Sequence, residues 1–185
     1  MLSISDNDQT IKGIQDIQNK RLEVLQRLSP DAYKGFLWLQ SNRDKFSRPV
    51  HDPMILHINL KDREYAKYFE NIIAVRDLTA FVCEDKSDMN LLMKYLRDQQ
   101  KLQINVVHSD PNKELNSEPK IPLQNIQKFG FEHYLISLID TPRTILNYLI
   151  INYSIQDIPI GSEQAAANLD HLPDAIRRFF TRTFL

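Results

Sequence analysis

"RPVHDPMILHINLKDREYAKYFENIIAVRDLTAFVCEDKSDMNLLMKYLRDQQKLQINVV", Arg48 to Val107, is the stretch whose reading decides the fold. Met54 to Leu60 is rich in apolar and β-branched positions, and Pro53 suits the first residue of a strand. Asp62 is placed to cap a helix that runs to Ile73, and Leu78 to Cys83 reads as a second strand. Asp85 or Ser87 then starts a helix, Asp88 to Asp98, with Leu91, Leu92, Tyr95 and Leu96 facing inward. Ile104 to Val107 follows as a third strand. Two strand–helix units in a row predict an α/β lobe, and no catalytic constellation lies between them.

Upstream, Ile11, Ile14, Ile17, Leu22, Leu25 and Leu28 form one apolar stripe, mostly at spacings of three and four, which predicts a helix. With only about two and a half heptads, the stripe suits the end of a coiled coil or a helix docked on its own core equally well. Ser29 as N-cap and Pro30 at the first helical position restart the chain as a helix to about Asn42, burying Tyr33, Phe36, Leu37 and Trp38. Downstream, "SDPNKELNSEPKIP", residues 109–122, holds three prolines and few apolar side chains, the composition of an exposed linker. A second lobe follows. It offers the aromatic stretch "FGFEHYL", a helix from Pro142 to Tyr153, a strand from Ser154 to Ile160, a helix from Ser162 and a basic amphipathic helix "DAIRRFFTR". No internal sequence repeat is legible.

The chain has 185 residues, 42% hydrophobic and 25% charged with only 4 glycines, the composition of an ordinary globular protein. Its net charge of -1 supplies no global field toward nucleic acid, so any such contact must come from a local cluster of Lys and Arg. The single cysteine, Cys83, lies in an apolar run and reads as a buried small hydrophobe. The N-terminal residues lack a signal-peptide pattern, and no apolar run approaches the roughly 20 residues of a membrane span. These features suit a reducing interior, cytosol or nucleus.

Five histidines, His51, His57, His108, His133 and His171, include no pair at i, i+3 or i+4, and Cys83 has no CxxC partner, so a zinc site is not expected. GxxxxGK[ST], GxGxxG and GxSxG are absent, and the acidic residues cluster at helix starts. The expectation is a chain that is not an enzyme, with no cofactor and no small-molecule substrate.

Pro53 opening a strand, "EYAKYFENII", "RDLTAFVCED" and "SDMNLLMKYLRDQQKLQINVV" together resemble the hinge domain of structural maintenance of chromosomes (SMC) proteins. "DAYKGFLWLQSNRDKF" and "ILNYLIINYSIQDIPIG" are similar to the fifth-paralogue branch of that family, and the resemblance runs from Pro30 to Leu185. It implies an α/β (α+β) SMC hinge: residues 1–29 as the end of a coiled-coil arm, lobe 1 at 30–108, the linker at 109–122 and lobe 2 at 123–185. It also implies a heterodimer with the hinge of the sixth SMC subunit through strand edges. The matching positions are Ile104, Asn105, Val106 and Val107 in the first lobe, and Ile155, Ile158, Pro159, Ile160 and Gly161 in the second.

The same resemblance implies contact with DNA, single-stranded in particular, in chromosome maintenance and DNA repair by recombination, and a place in the nucleus on the chromosome. Arg43, Lys45, Arg48, Lys61, Arg63, Lys67, Arg177, Arg178 and Arg182 are the candidate phosphate contacts, with Tyr65, Tyr68 or Phe46 to stack on bases. The family's ATPase heads lie outside such a stretch. Family members continue past the position of Leu185 into a final strand and the returning arm, so lobe 2 reads as truncated, and the glycine-rich dimer motif of many hinges is not evident. The alternative is a stand-alone α/β interaction module without a DNA role, its first helix docked on its own core.

Overall fold

A strand paired on both edges and covered on both faces must be apolar throughout. Phe81, Val82 and Cys83 meet that demand, with no exposed surface in the computed structural model of the protein. The structure describes residues 4–168, 171–174 and 176–182, with side chains from residue 13 onward. The chain forms two compact units. Unit 1 is the chain to His57 together with Val75–His108, and unit 2 is Ile58–Ala74 together with the chain from Ser109. The sequence-based lobe boundaries keep 30–108 together; the structure instead assigns Ile58–Ala74 to unit 2. A strand–helix pattern declares an apolar face without declaring which core receives it.

With elements numbered along the chain, unit 1 holds α1 (Ile4–Leu28), α2 (Pro30–Gln40), β1 (Val50–His51), α4 (Val75–Leu78), β3 (Phe81–Cys83), α5 (Lys86–Met93) and β4 (Val106–His108). Unit 2 holds β2 (Asn59–Leu60), α3 (Ala66–Ile72), α6 (Leu123–Ile126), β5 (Phe131–Tyr134), β6 (Ile139–Asp140), α7 (Arg143–Tyr153), β7 (Pro159–Gly161), α8 (Glu163–Ala167) and β8 (Phe180–Thr181).

In unit 1, β3 is the middle strand of β1-β3-β4, antiparallel to β1 with Val50 opposite Cys83, and parallel to β4 with Phe81 opposite Val106. Leu25, Leu39, Phe81, Leu92, Leu96, Ile104 and Val106 make its core. Gly35 lets α2 lie against β3: a Cβ there would stand 3.0 Å from the Phe81 ring. Ser29 and Asp85 are the N-caps of α2 and α5, accepting from the N–H groups of Ala32 and of Ser87 and Asp88 respectively. Past Met93, α5 continues as a π-helical turn, Lys94–Gln99.

The apolar stripe of α1 divides. Leu22 and Leu25 pack on the core, whereas Ile14 and Ile17 are exposed; the side chain of Ile11 lies outside the described residues. The predicted strand from Met54 to Leu60 is not formed as one element. Met54 N–H donates to Ala80 O, but the carbonyls of Pro53 and Met54 accept from Leu56 and His57 N–H, closing a 3₁₀ turn in place of a ladder.

In unit 2, β7 is the middle strand of β5-β7-β8, antiparallel to β5 and parallel to β8. The predicted basic helix "DAIRRFFTR" is absent at its described positions. Residues 176–179 carry no helix, and Phe180 and Thr181 pair with Ile160 and Gly161. Ile176, Phe179 and Phe180 have helical spacing, but burial of Thr181 and the T-shaped packing of Phe179 on Phe131 favour the extended chain. The end of the sequence, Leu185, lies outside the described residues.

The 109–122 segment is strapped to unit 2. Ser109 Oγ donates to Thr144 O at 2.7 Å, buried Asn147 donates through Nδ2 to Asp110 O and Lys113 O, and Tyr134 OH donates to Ile121 O at 2.7 Å.

Gly161 permits the turn from β7 into α8, since a Cβ there would sit 2.6 Å from Ala165 Cβ and 2.8 Å from Gly130 O. Gly161→Ala is expected to destabilise the protein by about 1–3 kcal/mol, the cost of overpacking. Gly13→Ala, in α1 with nothing within 4 Å of the added Cβ, is expected to stabilise it by about 0.5–1 kcal/mol. Thermal denaturation of the two variants separates the effects.

Asn147→Ala is expected to leave the core packed but free the strap, so limited proteolysis should cut within 109–118 well before unit 2 unfolds.

Candidate partner and nucleic-acid surfaces

The expected dimer positions have different structural standing in the two units. In unit 1, β4 is one of the two edge strands of its sheet, and among the described residues β3 is its one strand partner. Ile104 and Val106 point into the core, Val107 is half-buried, and Asn105 donates to Arg76 O at 3.3 Å. The approach to this edge is fixed from two sides. Arg97 Nε donates to Ile104 O at 2.8 Å, and Asp31 Oδ2 accepts from Gln103 N–H at 2.8 Å.

In unit 2, β7 offers no edge. Pro159, Ile160 and Gly161 lie between β5 and β8, and Ile155 and Ile158 are buried before them. The edges of that sheet are β5 and β8.

The basic residues fall into local groups. In unit 1, Arg43 and Arg48 line one cleft, together with Phe46, His51, Asp52 and His57. Arg43 donates to Val50 O at 2.7 Å and pairs with Asp52 at 2.6 Å. Lys45 is exposed, with Nζ 5.8 Å from the centre of the Tyr95 ring. The Arg48 side chain has no ion pair among the described residues, while its backbone N–H donates to Asp88 Oδ2 at 2.7 Å. Asp88 is itself buried and also accepts from the N–H and hydroxyl of Ser47, 41 residues away, a link that no local pattern announces.

In unit 2, Lys67 and Arg182 meet across 115 residues: Lys67 Nζ donates to Arg182 O at 2.9 Å, and Arg182 pairs with Glu132 at 3.3 Å. Tyr65 stands beside them, its ring 6.3 Å from those of Tyr68 and His133. Tyr68 is buried, which leaves half-buried Tyr65 as the aromatic on this face. Lys61, Arg63 and Arg177 are exposed, and Arg178 donates to Tyr153 O at 3.3 Å. Cys83 is buried, and burial first, then Asp88 and Asp85, pushes its thiol up to about 12, far from a reactive thiolate.

No family model matches the chain. Curated relatives do: it is 30% identical over 165 residues, 89% of this chain, to the structural maintenance of chromosomes protein 5 of Caenorhabditis elegans. It is 25% identical over 154 residues to the protein of the same name from Arabidopsis thaliana. The chain spans 15% and 14% of the lengths of these two proteins. In fold it matches the crystal structure of the S. pombe Smc5/6 hinge domain with a TM-score of 0.77 and 19% identity, over 95% of this chain and 68% of that one. An SMC hinge domain from Geobacillus stearothermophilus, crystallised as an asymmetric dimer, matches at a TM-score of 0.54 and 9% identity, over 98% of this chain and 73% of that one.

The fold of the chain, mixed α/β in two units, is that of SMC hinge domains. Within the SMC family, the chain belongs with the hinges of Smc5 proteins, to which it is similar over most of its length.

Among the described residues, His57 Nε2 is buried without a hydrogen-bond partner, 3.9 Å from Asp52 Oδ2. Burial foremost holds the imidazole below its ordinary value of 6.5; Asp52 opposes the shift, and His51, Arg43 and Arg21 add to it. Because the unfolded chain then binds the proton more readily, stability is full above the unfolded value and is lost as the pH falls from about 6.5 toward the lower folded value. The expected loss, at most about 1.4 kcal/mol per pH unit, should vanish in His57→Gln. Urea melts between pH 5 and 8 check this.

Proposed function

We propose that the chain is a non-enzymatic dimerisation hinge: it joins two coiled-coil arms, pairs with the hinge of the sixth SMC subunit and contacts DNA on the chromosome. The observation that carries the reading is the fold match to the Smc5/6 hinge domain over 95% of the chain. Sequence similarity to Smc5 proteins along most of the same residues supports it. An edge strand in each sheet suits pairing by strand addition, β4 in unit 1 and β5 or β8 in unit 2. Exposed Ile14 and Ile17 on α1 suit a helix that finds its apolar partner in a second arm helix. DNA contact rests on the two basic groups, Arg43 with Lys45 and Arg48, and Lys67 with Arg182, in a chain whose net charge is -1. Nuclear localisation and a part in DNA repair by recombination belong to the same proposal.

Light scattering of this chain alone and mixed with the hinge of the sixth SMC subunit tests the pairing. A stable one-to-one complex is expected; two non-interacting species, with this chain folded by circular dichroism, would overturn the heterodimer. For DNA, the combined Lys67→Glu and Arg182→Glu variant is expected to weaken binding of a single-stranded oligonucleotide and to flatten the slope of log affinity against log salt by at least about 1.4. An unchanged slope would remove this patch from the DNA contact.

A further inference from the structure

One cleft of unit 1 is lined in part by β1. It has a volume of about 390 Å³, and Arg43, Phe46, Arg48, His51, Asp52 and His57 are among its lining residues. We propose that this cleft binds a terminal phosphate monoester carried on a nucleotide-sized group.

Charge, rigidity and shape each argue for it. Two arginines, Arg43 and Arg48, line the cleft with a single lining carboxylate, Asp52, while Glu84 is tied to His51 Nε2 at 3.0 Å. Arg43 is already oriented by Val50 O and Asp52, so its remaining N–H groups are presented in a fixed direction. Arg48 projects from a turn that buried Asp88 holds by three hydrogen bonds, to the backbone N–H groups of Ser47 and Arg48 and to the Ser47 hydroxyl. A cation without an ion pair on a rigid turn is pre-organised for an anion.

The cleft is larger than a phosphate needs. Phe46, half-buried and set edge-on to Trp38 at 6.4 Å, adds an apolar wall for a sugar or base. A phosphate monoester, with a charge of about −1.5 to −2 and three free oxygens, gains more from two arginines than an internal diester does. The identity of the phosphate's carrier as nucleic acid rests on the DNA reading above; the phosphate site itself does not.

The test uses the 185-residue chain with a short fluorescent single strand carrying a 5′-phosphate, the same strand with a 5′-hydroxyl, and adenosine monophosphate as competitor. The phosphorylated strand is expected to bind about tenfold more tightly than the hydroxyl strand, and Arg48→Glu should abolish that difference while leaving the thermal midpoint unchanged. Binding of the mononucleotide, lost in Arg48→Glu, with no binding of either strand would uphold the cleft and overturn the DNA reading. Equal binding of both strands, indifferent to Arg48→Glu, would overturn the cleft and leave the DNA reading standing. No binding of any of the three would overturn both.

Discussion

Each unit depends on burying one short strand completely. β3 and β7 are three residues long and buried throughout, and each has an antiparallel neighbour on one side and a parallel neighbour on the other. Each is followed closely by a capping side chain that opens a helix, Asp85 before α5 and Ser162 before α8. The two units thus repeat one arrangement with no shared residue types in the central strands, "FVC" in one and "PIG" in the other. Completing the backbone pairing of a central strand leaves two flanking strands with one free edge each.

Why the sequence discloses some of this and not the rest follows from where the information lies. α2 and α5 are legible because a cap, a helical period and a stop coincide within a dozen residues: Ser29 and Pro30 for the first, Asp85 for the second. Strands of two residues, such as β1 and β2, carry no period at all, since their existence is decided by partners at Cys83 and Asp140. The tail from Ile176 to Thr181 carries a helical spacing that parallel pairing with β7 overrides. Legibility of the candidate surfaces is lower still. Lysines and arginines read as scattered points, and it takes the fold to bring Lys67 to Arg182 or to set Arg48 over Asp88.

Acidic residues explain how basic groups keep their charge in a chain of net charge -1. Many carboxylates are turned toward backbone N–H groups. The bond from Gln103 N–H holds Asp31 below the usual carboxylate range, and those from Ser87 and Asp88 do the same for Asp85. Asp62 and Asp88 are spent likewise on Glu64 N–H and on the 47–48 turn. A carboxylate used as a staple neutralises no guanidinium at the surface. The ion pair of Arg182 with Glu132 is solvent-exposed on both sides and correspondingly weak.

The junction between α1 and α2 shows how a hinge transmits direction. Ser29 leaves the helical region, with φ -150 and ψ 91, yet its N–H still donates to Leu25 O at 2.8 Å and its carbonyl still accepts from Tyr33 N–H at 3.1 Å. One backbone hydrogen bond closes on each side of the bend, while between them Pro30 has no N–H to give and Ala32 N–H turns to the Ser29 hydroxyl; fully buried Leu25 anchors the last turns of α1 to the unit 1 core. Two stiff helices meeting at one non-helical residue place the softness of the joint in the φ and ψ of Ser29, and Pro30 immediately after it has a fixed φ. If α1 continues as an arm, its angle to unit 1 is set by a single residue whose two dihedrals are restrained by the capping bond from Ala32 N–H to Ser29 Oγ at 3.1 Å. Removing that hydroxyl loosens the angle without touching either helix's apolar face.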